Sequence, residues 1–143
     1  MTSTQAPAGR AEAGPAPVEV LLYSDDAQTR AEVREAVGRR LAPDLPPVTW
    51  TETATHAAVV EHAQTGRFGL LVLDGEAAKA GGLGICRQLK AEVYRCPPIV
   101  VLTGRPQDAW LAAWSEADAA IAAPFDPFEV RETLARTLRR TLP

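Results

Sequence analysis

The sequence predicts a three-layer α/β domain: a five-stranded parallel sheet, order 2-1-3-4-5, with helices on both faces. Three observations lead there. Two runs, Leu70-Leu71-Val72-Leu73 and Ile99-Val100-Val101-Leu102, are apolar without interruption. A strand covered on one face alternates, whereas a strand buried on both faces does not, and such strands belong to the middle of parallel sheets. Segments with helical spacing separate the apolar runs, and strand–helix–strand connections within one sheet are right-handed crossovers that lay helices over its faces. Each central run also closes on a polar residue and a glycine, Asp74-Gly75 and Thr103-Gly104. The carboxyl edge of an open α/β sheet is where ligands and chemistry sit.

The elements follow in order. Residues 1–17 are rich in Ala, Pro, Gly, Ser and Thr without periodicity, which predicts a disordered tail ahead of a domain over 18–143. Val18 to Tyr23 reads as the first strand, and Ser24-Asp25-Asp26 ends it and can cap a helix over 27–41. In that helix Val33, Val37 and Leu41 form the inner stripe, with Glu35 and Arg39 able to pair outside. Pro43, Pro46 and Pro47 enforce a loop before a β-branched second strand over 48–53. Thr55 caps a helix to about residue 64, and Gly66 stops it. The central strand follows, then a small, flexible loop over 75–82 and a third helix over 83–94 with Ile85 and Leu89 inward. Pro97 and Pro98 break that helix before the fourth strand, 99–103. A short helix over 107–115 and a weak strand over 119–122 come next. Asp126-Pro127-Phe128-Glu129 then opens a last helix to about residue 140, with acid cap, proline and third-position Glu in place.

Composition narrows the function classes. A net charge of -3 without a basic stripe argues against nucleic acid as a ligand. No apolar run approaches the roughly 20 residues that span a bilayer, and the N-terminus has no secretory pattern, so a cytoplasmic protein away from membranes is expected. Cys86 and Cys96 are too few and too far apart for a metal knuckle or a CxxC pair, and read as free thiols. His56 and His62 are six apart on one helix, where a zinc pair needs a spacing of four.

The predicted topology makes strands one, three and four neighbours, so Asp25, Asp74 and Thr103 converge at their carboxyl ends. Converging carboxylates suit a hard cation such as Mg²⁺. A carboxylate can also take a phosphoryl group. These residues, with Gly82-Leu83, Pro98 through Gly104, and Pro124-Phe125-Asp126-Pro127, give the chain its resemblance. From Val18 to Arg140 it is similar to the receiver domain of two-component response regulators, the CheY-like family. The resemblance implies a flavodoxin-like fold in a bacterial signalling protein that is not itself an enzyme. It places Asp74 at the phosphoacceptor, and Asp25 and Asp74 on Mg²⁺ together with the backbone carbonyl of Glu76. It also places Thr103 at the switch hydroxyl and a cis bond before Pro124. Plainer readings of the same residues are a strand-end acid that does not react (Asp74), a cap or turn residue (Asp25) and a local turn hydrogen bond (Thr103).

The departures shape the expectation. Where receivers carry their first acid, this chain has Ser24. The family's lysine position is Ala123, where a charge-assisted bond worth about 1.5–3 kcal/mol would be lost. The aromatic switch position is Ala120, and Ala77-Ala78 replace the family's Met-Pro. Lys79 or Arg105 could substitute for the missing cation. The expected function is therefore an atypical, stand-alone receiver that binds other proteins with weak or no dependence on phosphorylation, and with Mg²⁺ weak or absent. No DNA-binding segment is expected after Arg140. The alternatives are a working phosphoacceptor served by a histidine kinase and Mg²⁺, and a small-molecule sensor using the space that Ser24, Ala120 and Ala123 vacate. Trp110 and Trp114 share a face of the fourth helix, as core or as an exposed anchor. The arginine row Arg131, Arg136, Arg139 and Arg140 reads as a solvated face or as the rim of an interface with an acidic partner. Trp110, Trp114 and Arg131 are the expected partner face, which the resemblance places on helix four, strand five and helix five, the usual dimer face.

Overall fold

The structure, a computed structural model, describes residues 16–77 and 81–142. The predicted tail, apart from its last two residues, lies outside the described residues, and so do Ala78 and Lys79. The strands are β1 (Val18–Tyr23), β2 (Val48–Thr53), β3 (Leu70–Asp74), β4 (Ile99–Thr103) and β5 (Ala119–Ala122). The helices are α1 (Ala27–Val37), α2 (His56–Ala63), α3 (Gly82–Glu92), α4 (Ala109–Trp114) and α5 (Pro127–Arg139). The sheet is parallel throughout in the order β2-β1-β3-β4-β5.

β3 and β4 are buried along their whole length. Successive side chains point to opposite faces, so the uninterrupted apolar runs feed two separate cores. Leu70, Val72, Val100 and Leu102 pack on the face covered by α1 and α5, against Val33, Val37, Leu134 and Leu138. Leu71, Leu73 and Val101 pack on the other, with Val59, Ile85, Leu89 and Ala112 from α2, α3 and α4. The register pairs Leu71 with Ile99 and Asp74 with Leu102, which brings the polar ends of β3 and β4 side by side.

Local chemistry fixes the helix starts. Asp26 accepts from the Gln28 N–H at 2.9 Å, Thr55 from Ala58 at 3.2 Å and Asp126 from Glu129 at 3.0 Å. α3 begins hard against the end of β3: a Cβ on Gly82 would sit 2.7 Å from the Asp74 carbonyl oxygen, so only glycine fits.

The ends differ from expectation in three places. α1 stops at Val37 rather than near residue 41, because Gly38 takes φ 68 and its N–H caps the Arg34 carbonyl at 2.9 Å. Leu41 still reaches the core, at 5% exposure, but from the loop. With Arg39 off the helix, Glu35 and Arg39 form no ion pair among the described residues. α3 ends at Glu92, two residues early, and Arg95 turns the chain with φ 53. The fourth helix is a 3₁₀ turn, Pro106–Asp108, followed by only six α-helical residues. No helix among the described residues is long and apolar enough to cross a membrane.

Candidate functional site

The carboxyl edge of the sheet holds a buried acid with both oxygens engaged. Asp74 is 6% exposed at the last position of β3. Its Oδ2 accepts from the Ser24 hydroxyl at 2.7 Å, and its Oδ1 accepts from the Glu76 N–H at 2.8 Å. Ser24 is fully buried and fixed in turn. Its N–H donates to the Thr53 carbonyl at 3.1 Å, its Oγ accepts from the Asp26 N–H at 3.0 Å, and its carbonyl accepts from Arg30 Nη1 at 2.6 Å. Arg30 is anchored by Glu52 at 2.9 Å. A chain of hydrogen bonds thus runs from Glu52 on β2 through Arg30 and Ser24 to Asp74.

The other expected site residues sit around this chain in different states. Asp25 is exposed at the rim. Burial pushes the Tyr23 phenol above its ordinary pKa, and the charges of Asp25 and then Asp74 push it further, which places both carboxylates within electrostatic reach of one ring. The Glu76 side chain is exposed and lies against Gly104: a Cβ there would meet its Cδ at 3.0 Å. Thr103 is buried, and its hydroxyl donates to the Arg105 carbonyl at 3.4 Å, a local turn contact. The Ala123–Pro124 bond is cis, and the Ala123 N–H donates to the Thr103 carbonyl at 2.9 Å.

Of the two candidate substitute cations, only Arg105 is among the described residues. The Arg105 guanidinium forks onto Asp108 at 2.9 and 3.3 Å, and that carboxylate holds its pKa up. Lys79 lies outside the described residues. Among the described residues, no three His, Cys, Asp or Glu side chains gather closely enough to hold a metal ion. The two histidines of α2 go separate ways: His56 bonds Gln88 at 2.7 Å, and His62 meets the Phe68 ring edge-on. Burial pushes the Cys86 thiol up to about 11 and the Cys96 thiol upward as well, so neither is a ready nucleophile at neutral pH.

A second surface carries the opposite character. Trp110 and Trp114 are both exposed, at 67% and 48%. Arg87 of α3 stacks over the Trp114 ring at 4.8 Å and donates to the Trp114 carbonyl at 2.6 Å. The aromatic ridge therefore belongs to α3 and α4. Arg131, on α5, donates from its Nη1 to the Ala36 carbonyl of α1 at 3.4 Å. Sequence reasoning missed Arg87, since a pair on two different helices leaves no spacing to find. It also read Ser24 as an absent charge, a possible cap and a small residue, and not as the donor that a hydroxyl next to a strand-end acid can be.

No protein-family model matches the chain. It is 50% identical over 122 residues to an uncharacterized response regulatory protein of Mycobacterium tuberculosis strain H37Rv, covering 85% of this chain and 92% of that protein. The fold resembles the signal receiver domain of a LuxO repressor protein from Vibrio parahaemolyticus. The TM-score is 0.72 at 15% identity, over 87% of this chain and 92% of that one. It also resembles the receiver domain of the sensor histidine kinase PA1611 from Pseudomonas aeruginosa PAO1, solved with a magnesium ion in its active-site cleft. Here the TM-score is 0.68 at 24% identity, over 87% and 99% of the two chains.

Proposed function

From the premise that this chain belongs to the response-regulator receiver family of two-component signalling, we propose that it acts as a protein-binding module that does not depend on phosphorylation. The observation that carries this reading is the state of Asp74. A phosphoacceptor needs a carboxylate oxygen free to attack, a divalent cation beside it and a cationic donor on the incoming phosphoryl oxygen. Here the Ser24 hydroxyl and the Glu76 amide occupy one acceptor position on each oxygen, and Ala123 stands where the donor would be.

The donor set also suits Mg²⁺ poorly. Ser24 offers a neutral hydroxyl already committed to Asp74, and of the two acids at the end of β1 Asp26 caps α1, which leaves Asp25 to join Asp74. Mg²⁺ demands near-octahedral oxygen coordination and sheds its waters reluctantly, so one buried carboxylate with both oxygens engaged is a weak anchor. The module performs no turnover of its own. Its output is binding through the aromatic ridge, to a histidine kinase, another protein or a second copy of itself. Exposed tryptophan beside arginine has the composition of a binding hot spot.

The test is exposure to acetyl phosphate with Mg²⁺, followed by intact mass. The wild-type chain is expected to show no phosphoryl adduct. An adduct that disappears in Asp74→Asn would overturn the reading in favour of a working phosphoacceptor.

A further inference from the structure

Between the C-terminal end of α1, the loop after it and α5 lies a hollow of about 650 Å³. Val37, Leu41 and Ala42 give it apolar walls, and the side chains of Arg39, Arg40 and Arg131 stand around it. Its frame is fixed. Arg40 Nη1 donates to the Leu45 carbonyl at 2.7 Å and Arg131 Nη1 to the Ala36 carbonyl at 3.4 Å. The Val48 N–H donates to the Arg39 carbonyl at 2.9 Å, and Arg40 bridges to Pro47.

What sets these arginines apart is their company. The chain has 18 acids against 15 bases, so carboxylates are in excess. Arg30, Arg34, Arg67, Arg87, Arg105 and Arg139 each form an ion pair. Among the described residues, Arg39, Arg40, Arg95, Arg131, Arg136 and Arg140 form none, and of these Arg39, Arg40 and Arg131 line one hollow. A second hollow of about 210 Å³ is also lined by Leu41, Ala42 and Arg131, with Glu132 and the Asp44-paired Arg139 on its wall, and it continues along α5 to Phe128, whose ring is 63% exposed.

We infer that this groove docks an acidic segment of a partner protein that carries an apolar anchor. Carboxylates of the segment meet the three guanidinium groups, whose planar forks suit carboxylate oxygens, and the anchor lies beside Phe128. Charge complementarity commits the occupant to an anion. The continuation of the groove to an exposed ring commits it to a peptide rather than a small ion. The site is on the opposite side of the sheet from the tryptophans, so it stands or falls apart from the ridge.

The probe is a fluorescent synthetic peptide with Glu and Leu at helical spacing, titrated against the full chain at low and high salt. Binding is expected at low salt and is weakened roughly tenfold at high salt. Arg39→Ser with Arg131→Gln is expected to weaken it roughly tenfold, and Phe128→Ala roughly threefold. These positions are on the surface, and circular dichroism checks that the variants fold. Trp110→Ala and Trp114→Ala should leave binding unchanged. No binding at the highest soluble peptide concentration overturns the inference. So does displacement by inorganic pyrophosphate with no effect of Phe128→Ala, which would mark a small-anion site. Equal loss in the tryptophan variants overturns it too.

Discussion

The cleft at the end of β3 and the ridge on α4 differ in what each leaves unsatisfied. In the cleft each Asp74 oxygen already accepts one bond from inside the molecule, and the Ser24 hydroxyl that supplies one of them accepts in turn from the Asp26 N–H. On the ridge two indole rings face water, one with an arginine laid across it. A site with its bonds already made has little interaction free energy left for a ligand. A surface that exposes large rings has much to gain by covering them, because each aromatic buries 150–250 Å² or so and the gain scales with area. The receiver fold is kept, and under the proposed function the place with capacity for a new contact is on the helices rather than in the cleft.

The strongest way to break that comparison is to truncate the ridge. Trp110→Ala with Trp114→Ala is expected to change stability by under about 1 kcal/mol, since both rings are largely exposed. Capture of a partner, or self-association in sedimentation, should weaken by about 2 kcal/mol or more, roughly thirtyfold. Loss of stability without loss of binding would return the tryptophans to the core and remove the contrast.

The next largest effect lies in the cleft. In Asp74→Ala the buried Ser24 hydroxyl and the Glu76 N–H lose their acceptor, and urea unfolding should show a loss of about 2–3 kcal/mol. A reactive acid held among like charges gives the opposite sign, because its removal relieves repulsion. A neutral or stabilised Asp74→Ala would therefore say that the acid is kept for chemistry.

Ser24→Asp sharpens the same point. It replaces a donor with a second acid beside Asp74, so the metal-free protein should lose about 1–3 kcal/mol from repulsion and the lost bond. Millimolar Mg²⁺ should restore much of that loss in a thermal melt while barely moving the wild type. An equal Mg²⁺ shift in both would mean that the natural cleft already holds the ion.

Much of this contrast was legible in the sequence, and the rest was hidden for physical reasons. β4 and β5 fall on 99–103 and 119–122 as read, and the Asp126-Pro127 start of α5 is where its cap chemistry put it, because these signals are local. The end of α1 was not legible: apolar spacing runs on to Leu41, and only the positive φ of Gly38 shows that the chain has already turned. The Arg131 bond to the Ala36 carbonyl was equally hidden, since helical spacing says which residues share a stripe and not which neighbour the stripe meets. The cleft residues were found by topology, but their state was not. Whether Ser24 is a missing charge or a hydrogen-bond donor depends on a distance of 2.7 Å that spacing cannot supply.

The smallest expected effect reads the cleft from inside. Tyr23 is buried below the acids, and its phenol is held above its usual 10.0 by burial, then by Asp25, then by Asp74. A raised folded-state pKa means that the unfolded chain gives up this proton first. Tyr23 therefore contributes stability that is fully present below pH 10 and is lost as pH rises through the folded value. Tyr23→Phe should remove that pH dependence, so that stability above pH 10 no longer falls through this group. In an ultraviolet titration of the phenolate, Asp25→Asn should move Tyr23 down toward its ordinary value, since one of its two charged neighbours is gone. If Asp25→Asn leaves that titration where it was, Asp25 lies too far out to act on the cleft, and the acid pair on which any metal site would depend does not operate in this chain.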